Sequence, residues 1–216
     1  MEDYKIVYKG GTGEIVEKKS RFIANVFPVD TEETAAAIIE EQKKKYWDAR
    51  HNCYAYAIGP NGEFTRCSDD GEPSGTAGRP ILEVITGAGL HNVLVVVTRY
   101  FGGTLLGTGG LVRAYSGAAQ AGISASRVVT KQHGRFFKIK SDYNDIGKLQ
   151  YIAGQMNLAV MDTEYTEQVL FKILVKDGDR ESVRKQIVEA TSGKAQIDDE
   201  EEIWFAVDDG KVCRIF

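Results

Sequence analysis

The stretch that most constrains the fold of this chain is residues 93–117, VLVVVTRYFGGTLLGTGGLVRAYSG. It begins with five consecutive apolar residues, a pattern typical of a strand that is buried on both faces of a sheet. Glycines then occupy positions 102, 103, 107, 109 and 110, where the lack of a Cβ atom lets the backbone turn tightly. Residues 111–124 predict a helix. The sequence therefore predicts a strand, a glycine-rich turn and a helix N-terminus, in that order.

This order of elements predicts an anion-binding site. The free N–H groups at a helix N-terminus carry partial positive charge, and arginines on either side of the turn add charge-assisted contacts. The predicted anion-binding residues are Arg99, Gly102, Gly103, Gly107, Gly109, Gly110 and Arg113. An alternative has equal weight: the glycines only allow the helix to pack closely on the sheet. The spacing matches neither the P-loop nor the dinucleotide-binding pattern.

Composition narrows the class of protein. With 216 residues, 43% of them apolar, the chain can form one or two ordinary packed domains. The formal net charge of −4 argues against a protein that coats nucleic acid by bulk attraction, although a local basic groove stays compatible with it. We expect a cytoplasmic protein without membrane contact, because the N-terminus has no apolar signal segment and no stretch approaches the roughly 20 apolar residues of a membrane span.

The cysteines and histidines predict no metal or cofactor site. Three widely spaced cysteines, Cys53, Cys67 and Cys213, suit reduced thiols and lack zinc-ligand spacing. His51 and Cys53 share one face of a predicted strand, so a nucleophile–base pair is conceivable. A buried structural cysteine is the better explanation. The chain has no G-x-S-x-G, H-E-x-x-H or kinase signature, which favours a binding protein over an enzyme.

The loop 68–80, SDDGEPSGTAGRP, is rich in turn-forming residues. Its acidic residues Asp69, Asp70 and Glu72 lack the spacing of an EF-hand loop, so turn chemistry explains them better than a metal site. The loop leads into a predicted helix that runs to Ala88, with Pro80 at its first position.

A change of pattern near residues 126–134 predicts two domains, residues 1–132 and 133–216. Charges balance over the first domain, so all of the net negative charge lies in the second. Strands are predicted over residues 135–140, 158–165, 168–176 and 195–207, and helices over residues 142–155 and 179–190. This β-α-β-β-α-β order predicts a ferredoxin-like second domain in a chain of the α+β class.

Four segments of the first domain carry a resemblance to a known family. They are residues 18–24 (KKSRFIA), 49–56 (ARHNCYAY), 69–80 (DDGEPSGTAGRP) and 98–103 (TRYFGG), the last followed by Leu106-Gly107. Together they resemble the IMPACT/YigZ family, and the second domain is similar to the C-terminal domain of its bacterial members.

The resemblance implies a fold and a wider site. It implies a split β-α-β first domain similar to elongation factor G domain four, a type also found in GHMP kinases, and a second domain similar to elongation factor G domain five. Its other motifs supply residues that could complete the wall of a pocket beside the glycine turn. These are Arg21, His51, Ser74, Gly75, Thr76 and Arg79.

Three functions stay open at this stage. The first is a binding and regulatory protein that recognises RNA or a ribosome-associated phosphate surface and modulates translation. The second is an enzyme acting on a small phosphorylated metabolite, because the same turn suits a phosphate. The third is a protein–protein regulator that uses the acidic second domain. Eukaryotic relatives regulate translation by competing for the activator of a starvation-responsive initiation-factor kinase, through an additional N-terminal domain that we do not expect here.

Overall fold

The computed structural model describes residues 3–208 and 211–216, and it confirms the predicted α+β class. The chain forms two compact units, one of Tyr4–Val129 and one formed mainly by Thr130–Phe216. The described helices include none long and apolar enough to cross a membrane.

The described residues of the first unit form seven strands and three helices. In chain order they are β1 (Tyr4–Lys9), β2 (Thr12–Glu17), β3 (Ser20–Pro28), α1 (Glu32–Lys45), β4 (His51–Ile58), β5 (Phe64–Ser68), α2 (Gly78–Gly87), β6 (Leu90–His91), β7 (Val93–Tyr100) and α3 (Thr108–Ser124). The main sheet is antiparallel, with the strand order β2-β3-β7-β4-β5. Strands β1 and β6 form the parallel pair.

Strand β7 is central, as its apolar run predicts, and Val93, Val95 and Val97 are fully buried on one face. Helices α2 and α3 cover that face. Helix α1 covers the opposite face, where Leu94 and Val96 pack against its apolar side. The sheet is therefore covered on both faces, and the turn after β7 lies at the edge of the larger core.

Two helix starts differ from the sequence prediction. Helix α3 begins at Thr108 rather than Leu111, so Gly109 and Gly110 lie in its first turn. Helix α2 begins at Gly78, which makes Pro80 its third residue rather than its first. A proline is still tolerated there, because the first backbone N–H groups of a helix have no partner within the helix.

The second unit is built mainly on β8 (Arg127–Ser141), α4 (Ile146–Gln155), β9 (Ala159–Tyr165), β10 (Val169–Lys176), α5 (Arg180–Ala190), β11 (Gln196–Asp208) and β12 (Lys211–Ile215). Its strands are antiparallel in the order β9-β10-β8-β11-β12. Helices α4 and α5 share one core with β8 and β10. The predicted β-α-β-β-α-β order is present, but two details differ. Residues 127–134, where the sequence pattern changes, already belong to β8, and β12 follows the last predicted strand, residues 195–207.

Candidate functional site

A cavity of about 420 Å3 opens in the first unit, where β4 begins, β7 ends and α3 starts. Its polar wall comes from Arg50, His51, Glu72, Arg99 and Thr108. Its remaining lining is mostly apolar, and consists of Pro73, Phe101, Leu105, Leu106, Gly107 and Leu111. Convergence of a few polar groups in an apolar hollow is the usual make-up of a ligand site.

A larger hollow in the second unit is a weaker candidate. It measures about 670 Å3 and is lined by the end of α4 and by β9 and β12. Among the described residues of its lining, Lys211 and Arg214 are the charged ones, and neither a histidine nor a carboxylate joins them. Volume alone does not make a site, so the smaller cavity with its titratable groups is the better candidate.

Strand pairing places His51 beside Arg99. The two residues are register partners in the β4–β7 ladder. The Nδ1 atom of His51 lies 2.9 Å from the carbonyl oxygen of Asp70. A carbonyl oxygen only accepts, so Nδ1 carries the proton in this bond and fixes the tautomer of the ring. The other ring nitrogen, Nε2, has no hydrogen-bond partner among the residues that the structure describes. In this tautomer Nε2 carries the lone pair that can accept a proton or a hydrogen bond.

Arg99 forms a buried ion pair with Glu72. Its Nη1 atom lies 2.6 Å from Glu72 Oε1, and the two side chains are only 7% and 4% exposed. The guanidinium carbon lies 5.4 Å from the centre of the Phe22 ring and 5.5 Å from that of Phe101. Within the described part of the chain, the buried Nε atom of Arg99 has no hydrogen-bond partner. Glu72 thus neutralises the charge of Arg99, and the buried Nε–H of Arg99 is left without an acceptor among the described residues.

A hydrogen-bonded chain continues from Glu72 into the core. The Tyr115 hydroxyl donates to Glu72 Oε1 over 2.8 Å and lies 3.3 Å from Cys53 Sγ. The thiol in turn donates to the carbonyl oxygen of Asp69 over 2.9 Å. Burial raises the pKa of the Cys53 thiol and the pKa of the Tyr115 phenol, so both stay protonated at neutral pH. A protonated thiol directed at a carbonyl is a poor nucleophile, which weakens the His51–Cys53 pair as a catalytic interpretation.

The acidic loop is held in place by its own carboxylates. Asp69 Oδ1 accepts hydrogen bonds from the backbone N–H groups of Ala77 and Gly78, each over 2.9 Å, and Oδ2 accepts one from Gly75 over 2.8 Å. Partial burial opposes ionisation, but these three donors outweigh it and lower the pKa of Asp69. Asp69 therefore caps α2 from outside the helix. No cluster of potential metal ligands occurs among the described residues.

The N-terminus of α3 is open. Gly107 is its N-cap residue with φ of 74°, a conformation that favours glycine, and it provides no side-chain cap. The backbone N–H of Leu111 bonds to the Gly107 carbonyl over 3.0 Å. The preceding N–H groups of residues 108–110 have no acceptor in the part of the chain that the structure describes. Both Gly107 and Thr108 line the cavity, so this positive helix end faces it.

The predicted site residues separate into two groups. Arg99, Gly107 and His51 line the cavity. Gly102 has a packing role, because a Cβ atom there would lie 2.1 Å from the carbonyl carbon of Lys19. The structure does not bring the others to the cavity lining, and these are Gly103, Gly109, Gly110, Arg113, Arg21, Ser74, Gly75, Thr76 and Arg79.

The physical reasons for this separation differ. Arg21 and Arg79 are exposed and pair with Glu14 and Glu83. Arg113 is exposed on α3 and does not reach the lining. Ser74, Gly75 and Thr76 belong to the loop that turns back onto Asp69.

Sequence reasoning missed several lining residues. Arg50 is part of a family motif, yet nothing in its spacing marks it as a cavity residue. Glu72 belongs to the acidic loop that turn chemistry explains, yet it lines the cavity. The exposed apolar residues Phe101, directly before Gly102, and Leu105, between Gly103 and Gly107, carry no chemical signal in the sequence.

Comparison with known proteins gives the family. The profile described as Impact N-terminal domain matches residues 18–123, and a domain of unknown function, DUF1949, matches residues 139–194. The IMPACT family member YvyE of Bacillus subtilis is 39% identical over 91% of this chain and 91% of its own length. The chain belongs to the IMPACT family. The predicted resemblance is thereby confirmed.

Other members of the IMPACT family extend the match. YigZ of Escherichia coli is 32% identical over 83% of this chain and 89% of its own length. A crystal structure described as that of a hypothetical protein has a TM-score of 0.59 and 32% identity, covering 93% of this chain and 98% of that one. All the residues that line the 420 Å3 cavity fall within the matched Impact N-terminal domain.

Proposed function

We propose that this protein is a binding and regulatory protein linked to translation, which holds a phosphate group of RNA or of a ribosome-associated surface in the cavity at the start of α3. The observation that carries the proposal is the open first turn of α3, which starts in the cavity wall with Gly107 and Thr108, beside Arg50 and His51. Helix N-termini bind phosphate through such groups. The expected role of eukaryotic relatives in translation supports the regulatory part.

The electrostatics of the cavity favour an anion. Arg99 and Glu72 cancel each other, which leaves the Arg50 guanidinium, the His51 ring and the helix end as the groups that set its sign. None of them is negative. Arg50 forms no ion pair with any described residue, so its charge is available to a ligand.

Binding is favoured over catalysis because the candidate catalytic groups are committed elsewhere. Glu72 is bonded to Arg99 and Tyr115, and the Cys53 thiol is protonated and directed at Asp69. One observation supports the second candidate, an enzyme acting on a small phosphorylated metabolite. His51 has its Nδ1–H fixed by the Asp70 carbonyl, and its Nε2 has no partner among the described residues, which is the arrangement of a general base.

A matched pair of variants tests the proposal. Thr108→Glu puts a carboxylate at the open helix end, where it repels a phosphate but suits the helix dipole, so stability should be unchanged or slightly higher. Thr104→Glu makes the same charge change at an exposed residue of the turn outside the cavity lining. Fluorescence anisotropy with a labelled single-stranded RNA should show at least about tenfold weaker binding for the first variant, roughly 1.4 kcal/mol, and little change for the second.

The outcomes separate the candidate functions. Equal losses in both variants would mean that only bulk charge matters, and the cavity would no longer be supported. A partner protein that binds Thr108→Glu normally and requires the acidic second unit would favour the protein–protein regulator. Turnover of phosphorylated metabolites that is lost in His51→Gln would favour the enzyme.

A further inference from the structure

We infer that the cavity takes one nucleotide by its terminal phosphate, as a nucleoside 5′-monophosphate or the 5′-phosphorylated end of an RNA, rather than an internal stretch of RNA backbone. The inference rests on the proposed function, because it requires phosphate to bind at the start of α3. It adds the class of ligand and the part of that ligand which is recognised.

The size of the cavity limits the kind of ligand that it can hold. At about 420 Å3 it falls within the range of roughly 300–1,000 Å3 that is usual for small-ligand pockets. A hollow of this size holds one small molecule or one residue of a polymer.

Charge sets the second limit. Proteins that follow a nucleic-acid backbone offer a groove of many basic residues. Here Arg50 is the one cationic side chain of the lining without an ion pair among the described residues, since Arg99 is neutralised by Glu72. Arg21 and Arg79, which could have extended a basic track, are paired with carboxylates outside the cavity. One helix end, one arginine and one histidine suit a single phosphate group.

The apolar wall explains why the ligand carries a base. Phe101 and Leu105 are 47% and 83% exposed at the cavity, although large apolar side chains usually avoid water. The Phe101 ring is held over the Arg99 guanidinium at 5.5 Å, which orients it. An oriented, half-exposed aromatic ring beside a phosphate site is suited to stacking a nucleobase.

A buried donor gives an independent indication of a ligand. Arg99 is 6% exposed and lines the cavity, yet its Nε–H has no partner among the described residues. Buried donors are nearly always satisfied, so an unused one beside a cavity indicates an acceptor that the protein itself does not supply. An acceptor on the ligand or a water held with it would satisfy this donor.

The experiment uses the intact protein and compares ligands that differ in the RNA 5′ end or in the presence of a nucleobase. Two single-stranded RNA hexamers of one sequence are used, one with a 5′-phosphate and one with a 5′-hydroxyl, both labelled at the 3′ end. We expect the phosphorylated hexamer to bind at least about tenfold more tightly in anisotropy titrations. The salt dependence should be shallow, with a slope of about −0.7 to −1.4 in log K against log salt, because only one or two phosphates are contacted.

Competition between ligands and one variant test whether the protein recognises the nucleobase. Adenosine monophosphate should displace the phosphorylated hexamer better than adenosine or inorganic phosphate does. Phe101→Ala should weaken adenosine monophosphate about tenfold and leave inorganic phosphate unchanged. Phe64→Ala, which removes another exposed ring on β5 outside the cavity, is the matched control and should have no effect. If the monophosphate binds and the hexamers do not, the ligand is the free nucleotide.

Two results would overturn the inference in different ways. Equal binding of both hexamers, with loss of both in Thr108→Glu, would mean that an internal phosphate is bound; the proposed function would stand and the inference would fail. Absence of binding by every phosphorylated probe up to about 1 mM, a free energy near −4.1 kcal/mol, would remove the proposed function as well. Equal losses of monophosphate and inorganic phosphate in Phe101→Ala would exclude base stacking.

Discussion

Glu72 and Arg99 lie 27 positions apart in the chain, yet Glu72 Oε1 is 2.6 Å from Arg99 Nη1 and both side chains are almost fully buried. The pair joins the acidic loop to the end of β7. A buried pair of this kind contributes little net stability compared with apolar residues, but removing one partner leaves an uncompensated charge in the protein interior. The pair therefore determines where the loop lies over the cavity.

Glu72→Ala should be strongly destabilising. It leaves the Arg99 charge buried without a partner and removes the acceptor of the Tyr115 hydroxyl, so we expect a loss of about 3 kcal/mol or more in urea unfolding. Glu72→Gln keeps an acceptor and should lose less. The control is Glu83→Gln at an exposed pair with Arg79, where little change is expected. Equal stability of wild type and Glu72→Ala would show that the pair does not hold the loop.

Stability should depend on pH through Asp69. Its pKa is lowered from the usual 3.8, so its contribution is present above pH 3.8 and is lost as the pH falls through the lower value of the folded state. Asp69→Asn should therefore be less stable than wild type at pH 7, and the two stabilities should converge in acid below that pH. Urea unfolding across pH 2–7 measures this difference. A gap that stays constant into acid would contradict the role of the ionised carboxylate.

Two glycines on the first unit should respond oppositely to alanine. In Gly102→Ala the new Cβ would meet the backbone of Lys19 at 2.1 Å and that of Ser20 at 2.4 Å, so we expect a loss of about 2 kcal/mol from overpacking. Gly87→Ala adds a methyl group at the end of α2, where no described atom beyond the local helix backbone lies within 4 Å, and should be neutral or stabilising by up to about 1 kcal/mol. Thermal unfolding of both variants checks the sign. A neutral Gly102→Ala would exclude the packing role.

Cys53→Ser should retain ligand binding within about threefold, roughly 0.6 kcal/mol, because a buried serine hydroxyl finds the same Asp69 and Tyr115 partners. In native protein, a thiol reagent should label the exposed Cys67 quickly and Cys53 only after unfolding. If Cys53→Ser folds but loses all binding or activity, the nucleophile pair with His51 becomes the better explanation.

Local patterns allowed much of the fold to be predicted. The apolar run of β7 and the element order of the second unit follow from periodicity and turn residues over short spans. The contacts that build the cavity join distant positions. Asp69 caps a helix eight and nine residues away, and Glu72 reaches an arginine on another strand. Asp69 and Glu72 lie close together in one turn-rich loop, so the sequence alone does not indicate which contact each carboxylate makes.

Two boundaries were wrong for a related reason. Glycine disfavours a helix interior, so Gly109 and Gly110 argued for a later start of α3, whereas the first turn tolerates them. Strand β12 has five residues and three of its side chains are exposed, which leaves too little alternation to identify it. In both places the local sequence preference is too weak to mark where the helix starts or that a strand is present.

The two helices that cover one face of the main sheet, α2 and α3, have different N-termini. Among the described residues, the Asp69 carboxylate lies at the N-terminus of α2, whereas no side chain caps α3 at Gly107. On the proposed function, dissolved anions act at the start of α3 and not at that of α2. The choice of buffer would then become a variable of the protein itself: phosphate or sulfate would give the folded state a counterion that chloride supplies less well, and melting temperatures recorded in different salts would describe differently occupied molecules.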